Sequence, residues 1–414
     1  MKMPPGYAEN INGEEAVLEL HRAVYGLKQA SSSFFTALDQ HLKSKGFMPT
    51  LGDPCLYLRV NADGTVTIVC AYVDDLTYGV TTQANADAFL AECRERFEVP
   101  EGVGQPLDFL LGMAVSQDLE RGTVHLNMEL AITKLAGCLL TQKEQVKCQF
   151  VDSPMLACGL RKQTERTVAK EEFDYLSMVG SLMHIANCVR CDVAYAVGAL
   201  ARHAVHPGKE HVRTAKRVLI YLYSTRSLGI TYFRHVVDKN VPRMYETAKH
   251  PLRTESNLLQ TFTDSDYAGD DTRRSTMGVV VMLNGGPVSW ASQLGKTVAS
   301  STCEAEVNAA VIASKQALHV QRLLFDLGLS PADRAVTIME DNAACIAQAN
   351  ARLRHLKAAK HYEVRLRFLQ QMVVEKHVTF EYCPTASQLA DFLTKPLDPV
   401  TFVRFRDAIM HQTS

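Results

Sequence analysis

The chain has 414 residues, 47% of them apolar and 21% charged, which excludes a disordered or fibrous protein and supplies core for two or three domains of about 150 residues each. Its formal net charge is −1, so no global basic field marks a polyanion partner, and any such affinity has to come from local clusters of Lys and Arg. No apolar run approaches the roughly 20 residues that cross a bilayer, and the start MKMPPGYAEN holds no signal core, so no membrane partner is expected.

The chain opens on a turn at Pro4, Pro5 and Gly6. From Val17 to Phe47 apolar residues recur at helical spacing, broken near Gly26 and closed by Gly46, which predicts a helix in the second half. Cys55 to Arg59, Val66 to Val73 and Leu76 to Val80 read as strands, placing Asp74 and Asp75 on a hairpin tip. A helix is expected from Asn85 to Phe97, and Pro100, Gly102, Gly104 and Pro106 then mark a domain edge. After a mixed region, helices are expected between Phe173 and Tyr223. The eleven cysteines stand singly or in pairs such as Cys188 and Cys191, with no second pair at zinc-site spacing, which reads as a reduced, intracellular protein. The polar stretch His235 to Asn257 reads as a linker.

Beyond it, strands are expected at Leu259 to Thr263, Val279 to Leu283 and Val288 to Ala291. A long helix follows from about Glu304 to Leu327, behind the capping candidates Ser300, Ser301 and Thr302. Strand Val336 to Met339, helix Ala343 to Ala349, a basic segment, strand Val378 to Cys383 and a last helix from Ser387 complete the pattern, which describes a mixed sheet with helices packed on it. Four acids fall at junctions of these elements. Asp264 ends the first strand, Glu306 lies in the first turns of the long helix, Asp341 ends the fourth strand, and Asp391 lies in the last helix.

Strand ends and helix starts meet at one edge of such a sheet, so distant acids can converge. Clustered carboxylates repel unless a cation lies between them, and an all-oxygen set favours Mg²⁺ or Mn²⁺. Two such ions about 4 Å apart can activate water and stabilise the oxygen leaving a phosphodiester. One acid alone would be a helix cap or a solvated charge; four at such junctions favour the metal reading.

The phrases TFTDSDYAGD, RRSTMG, PVSWASQLGKTVASSTCEAEVNAA, IMEDNAA and PTASQLADFLTKPL, in that order, resemble the ribonuclease H domain of copia-type retrotransposons. The resemblance implies that Asp264, Glu306, Asp341 and Asp391 are the catalytic and metal-binding acids, with Asp266 as rival for the first place. It also implies an RNA–DNA hybrid as substrate. His361, in KHYEVRLRFL, matches a phrase of such elements and reads either as a helix-capping or packing residue or as a group at the scissile phosphate.

At the front, AVYGLKQASSSFFTALDQHLKSKGF, DPCLYLR and YVDD resemble the palm of copia-type reverse transcriptases. Asp74 would then bind a catalytic metal, Asp75 would support it, and Gln29 would contact template-primer and incoming nucleotide. The family also uses an aspartate from an earlier palm strand, which this sequence does not contain, together with the fingers. Ser32 and Pro100 stand where the family usually has Arg and Lys. The polymerase is therefore expected to be inactive in this chain unless further N-terminal Pol segments act as partners.

YLSMVGSLMHIANCVRCDVAYAVGALARH and AKRVLIYLYSTRSLGITY resemble the connecting segment, with Arg190, Cys191 and Asp192 on its Arg-Pro-Asp phrase. Two basic clusters, Arg202, Lys209, Arg213, Lys216 and Arg217, and Arg352, Arg354, Lys357, Lys360, Arg365 and Arg367, read as phosphate contacts or as solvated helix faces.

The expected class is α/β: an α+β palm remnant (1–105), a thumb or connection region (106–256), a ribonuclease H-like mixed sheet with helices on both faces (257–400) and a tail (401–414). An intracellular place is expected, cytoplasmic, in virus-like particles or nuclear. The reading from another functional class is a decayed or co-opted nucleic-acid-binding protein without catalysis.

Overall fold

The computed structural model describes residues 26–100, 102–146, 151–156, 173–234, 257, 259–331, 334–351 and 362–412, with isolated positions among 10–24 and 160–168. The chain divides into two compact units, Met1–Pro106 and Leu107–Ser414.

In the first unit, β1 (Asn10–Ile11) pairs antiparallel with β2 (Glu14–Glu15). Helix α1 (Ala30–Ser44) buries Leu38 and Leu42, one turn apart, and stops at Gly46, whose φ of +83° suits a residue without Cβ. Strands β3 (Met48–Pro49), β4 (Leu56–Val60), β5 (Val66–Tyr72) and β6 (Asp75–Gly79) form an antiparallel sheet in that order. Helix α2 (Gln83–Arg94), capped by Thr82, packs Phe89 and Cys93 against Tyr57 and Val69. The β5–β6 turn leaves Val73 and Asp74 between the paired residues Tyr72 and Asp75.

The second unit begins with β7 (Phe109–Leu110), β8 (Met113–Asp118) and β9 (Thr123–Asn127), followed by α3 (Glu129–Leu139) and α4 (Gln142–Val146). Helices α5 (Tyr175–Cys188), α6 (Ala194–Ala201) and α7 (Lys209–Ser224) lead to β10 (Leu228–Phe233), which pairs with β9. A further sheet contains β11 (Leu259–Asp266), β12 (Thr276–Leu283) and β13 (Gly286–Leu294), then α8 (Thr302–Asp326), β14 (Val336–Glu340), α9 (Ala343–Asn350), α10 (Glu363–Val374) and β15 (Val378–Tyr382). Its strand order is β13-β12-β11-β14-β15; the first three are antiparallel and the last three parallel. After α11 (Pro399–Ile409), β16 (His411–Gln412) returns to the edge of β10.

Both faces of this sheet are covered, as period-two side-chain alternation requires. Val279, Val281 and Ile338 face Val307 and Ala310 of α8 and Leu366 of α10. Phe262, Val280, Met282 and Met339 belong to the core built by Leu182, Val197, Leu219 and Phe402. Residues 106–256 and 257–400 therefore share one core. Polar contacts tie them as well: Trp290 Nε1 donates to Ala186 O at 3.0 Å and Tyr232 Oη to Pro287 O at 2.8 Å.

Arg190 is fully buried, with Nε and Nη2 donating to Asp192 at 2.9 and 2.7 Å and Nη1 to Thr225 O at 2.9 Å. Tyr221 Oη donates to the same carboxylate at 2.6 Å. The Arg-Cys-Asp phrase is thus a satisfied ion pair inside the core rather than a surface for phosphate.

Two expected boundaries are corrected. The first strand runs two residues past Asp264, because the β12 ladder continues to the pair Asp266–Thr276. No helix starts at Ser387; two short 3₁₀ turns, Thr385–Ser387 and Asp391–Leu393, stand there and the helix begins at Pro399. Pro396 has no N–H to donate and disfavours helical backbone at Lys395, so no helix continues from the Asp391 turn through Lys395 into α11.

Candidate metal centre

Asp264 lies in the ladder of β11 opposite Gly278 of β12. That glycine is a structural requirement: a Cβ there would lie 2.6 Å from Thr394 Cγ2, 2.7 Å from Ala390 O and 3.0 Å from Leu393 Cβ. Its absence lets the Asp391 turn rest directly on the sheet. Thr394, fully buried, has Oγ1 at 2.7 Å from Asp264 Oδ2 and 2.9 Å from Asp391 O, its one hydroxyl proton shared between the two acceptors, which fixes this turn against the first strand.

Glu306 is placed by the start of α8. Ser301 caps the helix, accepting from Glu304 N at 3.1 Å, and Glu304 accepts from Ser300 N and Oγ at 2.7 Å each. The cap engages Glu304 and leaves Glu306, two residues on, for the site. Asp341 follows the last residue of β14 and accepts from Thr385 Oγ1 at 2.8 Å, while Asn342 caps α9.

Asp264, Glu306 and Asp341 each offer a carboxylate oxygen, and these lie within 4.8 Å of one another. Three separate elements are needed to bring them together. Burial, then the charge of neighbouring Asp391, raises Asp264 to about 6. Burial, then Asp264, raises Glu306 to about 9, and burial raises Asp341. Such shifts record first the cost of burying ionised carboxylates and second their mutual repulsion, both of which a bound cation would relieve. A cation fits this place: the donors are all oxygen, and Glu306 Oε2 is buried with no hydrogen-bond partner among the described residues.

The fourth expected acid, Asp391, stands beside Asp264 but outside the group of three. Its Oδ1 accepts from Lys395 Nζ at 2.5 Å. Asp266, half-buried, is also raised, first by burial. Sequence reasoning missed four residues here: Gly278, Thr394, Lys395 and Glu340. Glu340 is fully buried at the end of β14, accepts from Asn342 N at 3.0 Å and is pushed far up by burial and then by Glu306. The adjacent acids of IMEDNAA, and the threonine and lysine of DFLTKPL, were the available signals.

The other expected sites are less concentrated. Asp74 and Asp75 lie exposed on the β5–β6 tip, where Val73 adopts φ +55°, and neither joins a group of three possible ligands among the described residues. Gln29, exposed, precedes α1 without capping it through its side chain. Arg352, Arg354, Lys357, Lys360 and His361 lie outside the described residues. Arg365 donates to Asn308 Oδ1 at 2.6 Å, and Arg367 pairs with Glu363. In the other cluster Arg202 pairs with Asp270 at 2.9 Å and Lys216 with Glu144 at 3.2 Å, so part of its charge is neutralised internally. Arg213 and Arg217 line a cleft of about 800 Å³ with Met155 and Ile220.

The family model described as reverse transcriptase (RNA-dependent DNA polymerase) matches residues 1–157. A putative transposon Ty5-1 protein of Saccharomyces cerevisiae is 30% identical over 300 residues, covering 72% of this chain and 88% of that protein. The chain belongs to the copia-type retrotransposon Pol family. The retrovirus-related Pol polyprotein from transposon TNT 1-94 of Nicotiana tabacum is 29% identical over 402 residues, covering 95% of this chain and 28% of that polyprotein. The chain thus spans little more than a quarter of its tobacco relative. Among solved structures, LC11 ribonuclease H1 isolated from compost matches 33% of this chain and 93% of its own, at 18% identity and a TM-score of 0.27. The copia-type chain is α/β, and its residues 1–157 correspond to reverse transcriptase of a retroelement polyprotein. No helix among its described residues is long and apolar enough to cross a membrane.

Proposed function

We propose that the mixed-sheet region of this chain is a ribonuclease H that hydrolyses the RNA strand of RNA–DNA hybrids with two Mg²⁺ or Mn²⁺ ions. The observation that carries the reading is the convergence of Asp264, Glu306 and Asp341 from β11, α8 and the end of β14, with oxygens within 4.8 Å. Asp264, Glu306, Asp341 and Asp391 hold the ions. Bound there, the ions supply an activated water and charge stabilisation for the departing 3′ oxygen. Thr394 keeps Asp264 and the Asp391 turn in register, and the α8 cap fixes the direction from which Glu306 enters.

Discrimination of hybrid from duplex DNA rests on 2′-hydroxyls and groove shape rather than on bases. Arg352, Arg354, Lys357, Lys360 and His361 are proposed as contacts to the hybrid, and Gln29 to template-primer. Asp74 and Asp75 are proposed as palm acids that do not by themselves suffice for polymerisation, because among the described residues no third carboxylate joins the two on this hairpin. Further Pol segments are proposed partners, within the cytoplasm, virus-like particles or nucleus.

The test uses the full 414-residue chain and a hybrid with labelled RNA, in Mg²⁺ and in Mn²⁺. Cleavage should leave 5′ phosphates. Asp264→Asn and Glu306→Gln should each remove most of it, and the double variant should lose little more, because the acids act jointly. A folded chain that binds hybrid and cuts it with neither metal would make the non-catalytic binding protein the better account.

A further inference from the structure

Lys395 is a cation set among carboxylates. Its Nζ lies 2.5 Å from Asp391 Oδ1, and the two side chains differ sharply in exposure, 37% for the lysine and 8% for the aspartate. The pair therefore joins a nearly buried acid to a head group that reaches water. Asp391 stands against Asp264 at hydrogen-bond range, yet among the described residues the group of three whose oxygens all lie within 4.8 Å of one another is Asp264, Glu306 and Asp341. The fourth acid is engaged by the ammonium.

The local chain explains the tether. Thr394 is pinned by its bonds to Asp264 and to Asp391 O, and Pro396 follows, so the backbone on either side of Lys395 has little freedom. The side chain itself is a four-carbon stem bearing a compact charge, able to swing outward without moving the backbone. Its charge also acts on Asp264, Asp266, Glu306 and Asp341, lowering the pKa of each against the rise caused by burial.

We propose that Lys395 is a tethered competitor of a divalent cation for Asp391: the ammonium holds Asp391 in the metal-free site, and a divalent ion engages that carboxylate only when the ammonium has released it. Lys395 is thus a positioning residue that sets how much metal the site demands. The inference rests on the metal-dependent nuclease proposed above.

Mn²⁺ binding to the full chain, followed without substrate by the electron paramagnetic resonance of free Mn²⁺, tests it. Lys395→Met should move the weaker Mn²⁺ step to roughly three- to fivefold lower concentration, the scale expected for losing a partly exposed ion pair. Lys395→Gln should do the same, which covers a folding defect in either variant. Lys395→Arg keeps the charge and should stay within about twofold of the parent. Thermal unfolding reports that each variant is folded. Unchanged Mn²⁺ curves in both neutral variants would overturn the inference alone. Weaker hybrid binding with unchanged Mn²⁺ binding would also overturn it, assigning the lysine to a phosphate. Absence of Mn²⁺ binding by the parent chain would overturn both this inference and the nuclease reading.

Discussion

Replacing Gly278 with alanine probes the link between packing and chemistry. The new methyl would meet Thr394 Cγ2 at 2.6 Å and Ala390 O at 2.7 Å, one of them backbone, so the whole Asp391 turn has to lift by about 1 Å to restore ordinary contact. Overpacking of this kind costs about 1–3 kcal/mol. If the lift also breaks the 2.7 Å bond from Thr394 to Asp264, a charge-assisted hydrogen bond worth about 1.5–3 kcal/mol is lost as well. A total of about 2.5–6 kcal/mol is therefore expected from unfolding midpoints in chemical denaturant when both losses occur. Displacement of catalytic groups by about 1 Å should reduce hybrid cleavage by roughly 10²-fold. The control is Gly180→Ala on the exposed face of α5, where a Cβ meets nothing within 4 Å. That change should stabilise the chain by about 0.5–1 kcal/mol and leave cleavage intact. If Gly278→Ala unfolds at the same midpoint and cuts at the same rate as the parent, the turn is not held by its approach to β12 and this account of the site is wrong.

Acid titration gives a second expectation. Without metal, Glu306 stands at about 9 against an ordinary 4.5, and Asp264 at about 6 against 3.8, both raised first by burial. Through these acids the folded state holds more protons than the unfolded state, and above about 6.5, where the half-buried His203 and His411, both held near 4, no longer oppose them, stability in EDTA should fall as pH rises to about 8. Mg²⁺ should raise the melting temperature more at pH 8 than at pH 5; a flat or rising profile in EDTA contradicts it. Asp192→Ala should cost about 3–5 kcal/mol, because it strands the buried Arg190, and the Arg190→Met/Asp192→Ala double variant should cost less than the two single changes together, measured by a double-mutant cycle. Replacing Arg354 and Lys357 by Ala should flatten the salt dependence of hybrid binding by about 0.7–0.9 per lost contact; an unchanged slope removes them from the interface. Nucleotide addition by the purified chain on primed RNA should be undetectable, and incorporation abolished by Asp74→Asn would refute that.

What was legible in the sequence was what local rules write down. The β5–β6 hairpin, α1 up to Gly46 and the long α8 behind Ser301 follow from periodicity, turn chemistry and capping, and they place Asp74, Asp75 and Glu306 correctly along the chain. The rule that strand ends and helix starts share an edge allowed four acids to converge, and the structure groups Asp264, Glu306 and Asp341 with Asp391 beside Asp264. What escaped is set by contacts distant in sequence. Gly278 reads as an ordinary strand glycine until a turn more than a hundred residues later is known to lie on it. Glu340 looks like the outward member of an acidic pair, but β14 is central and covered on both faces, so alternation turns it into the core beside Glu306. Lys395 looks like a surface lysine because its neighbours in sequence say nothing of Asp264 or Asp266. Local pattern thus places these acids at strand ends and a helix start and the ribonuclease H resemblance singles them out, whereas the groups that govern their charge depend on tertiary packing and become visible only once the sheet is assembled.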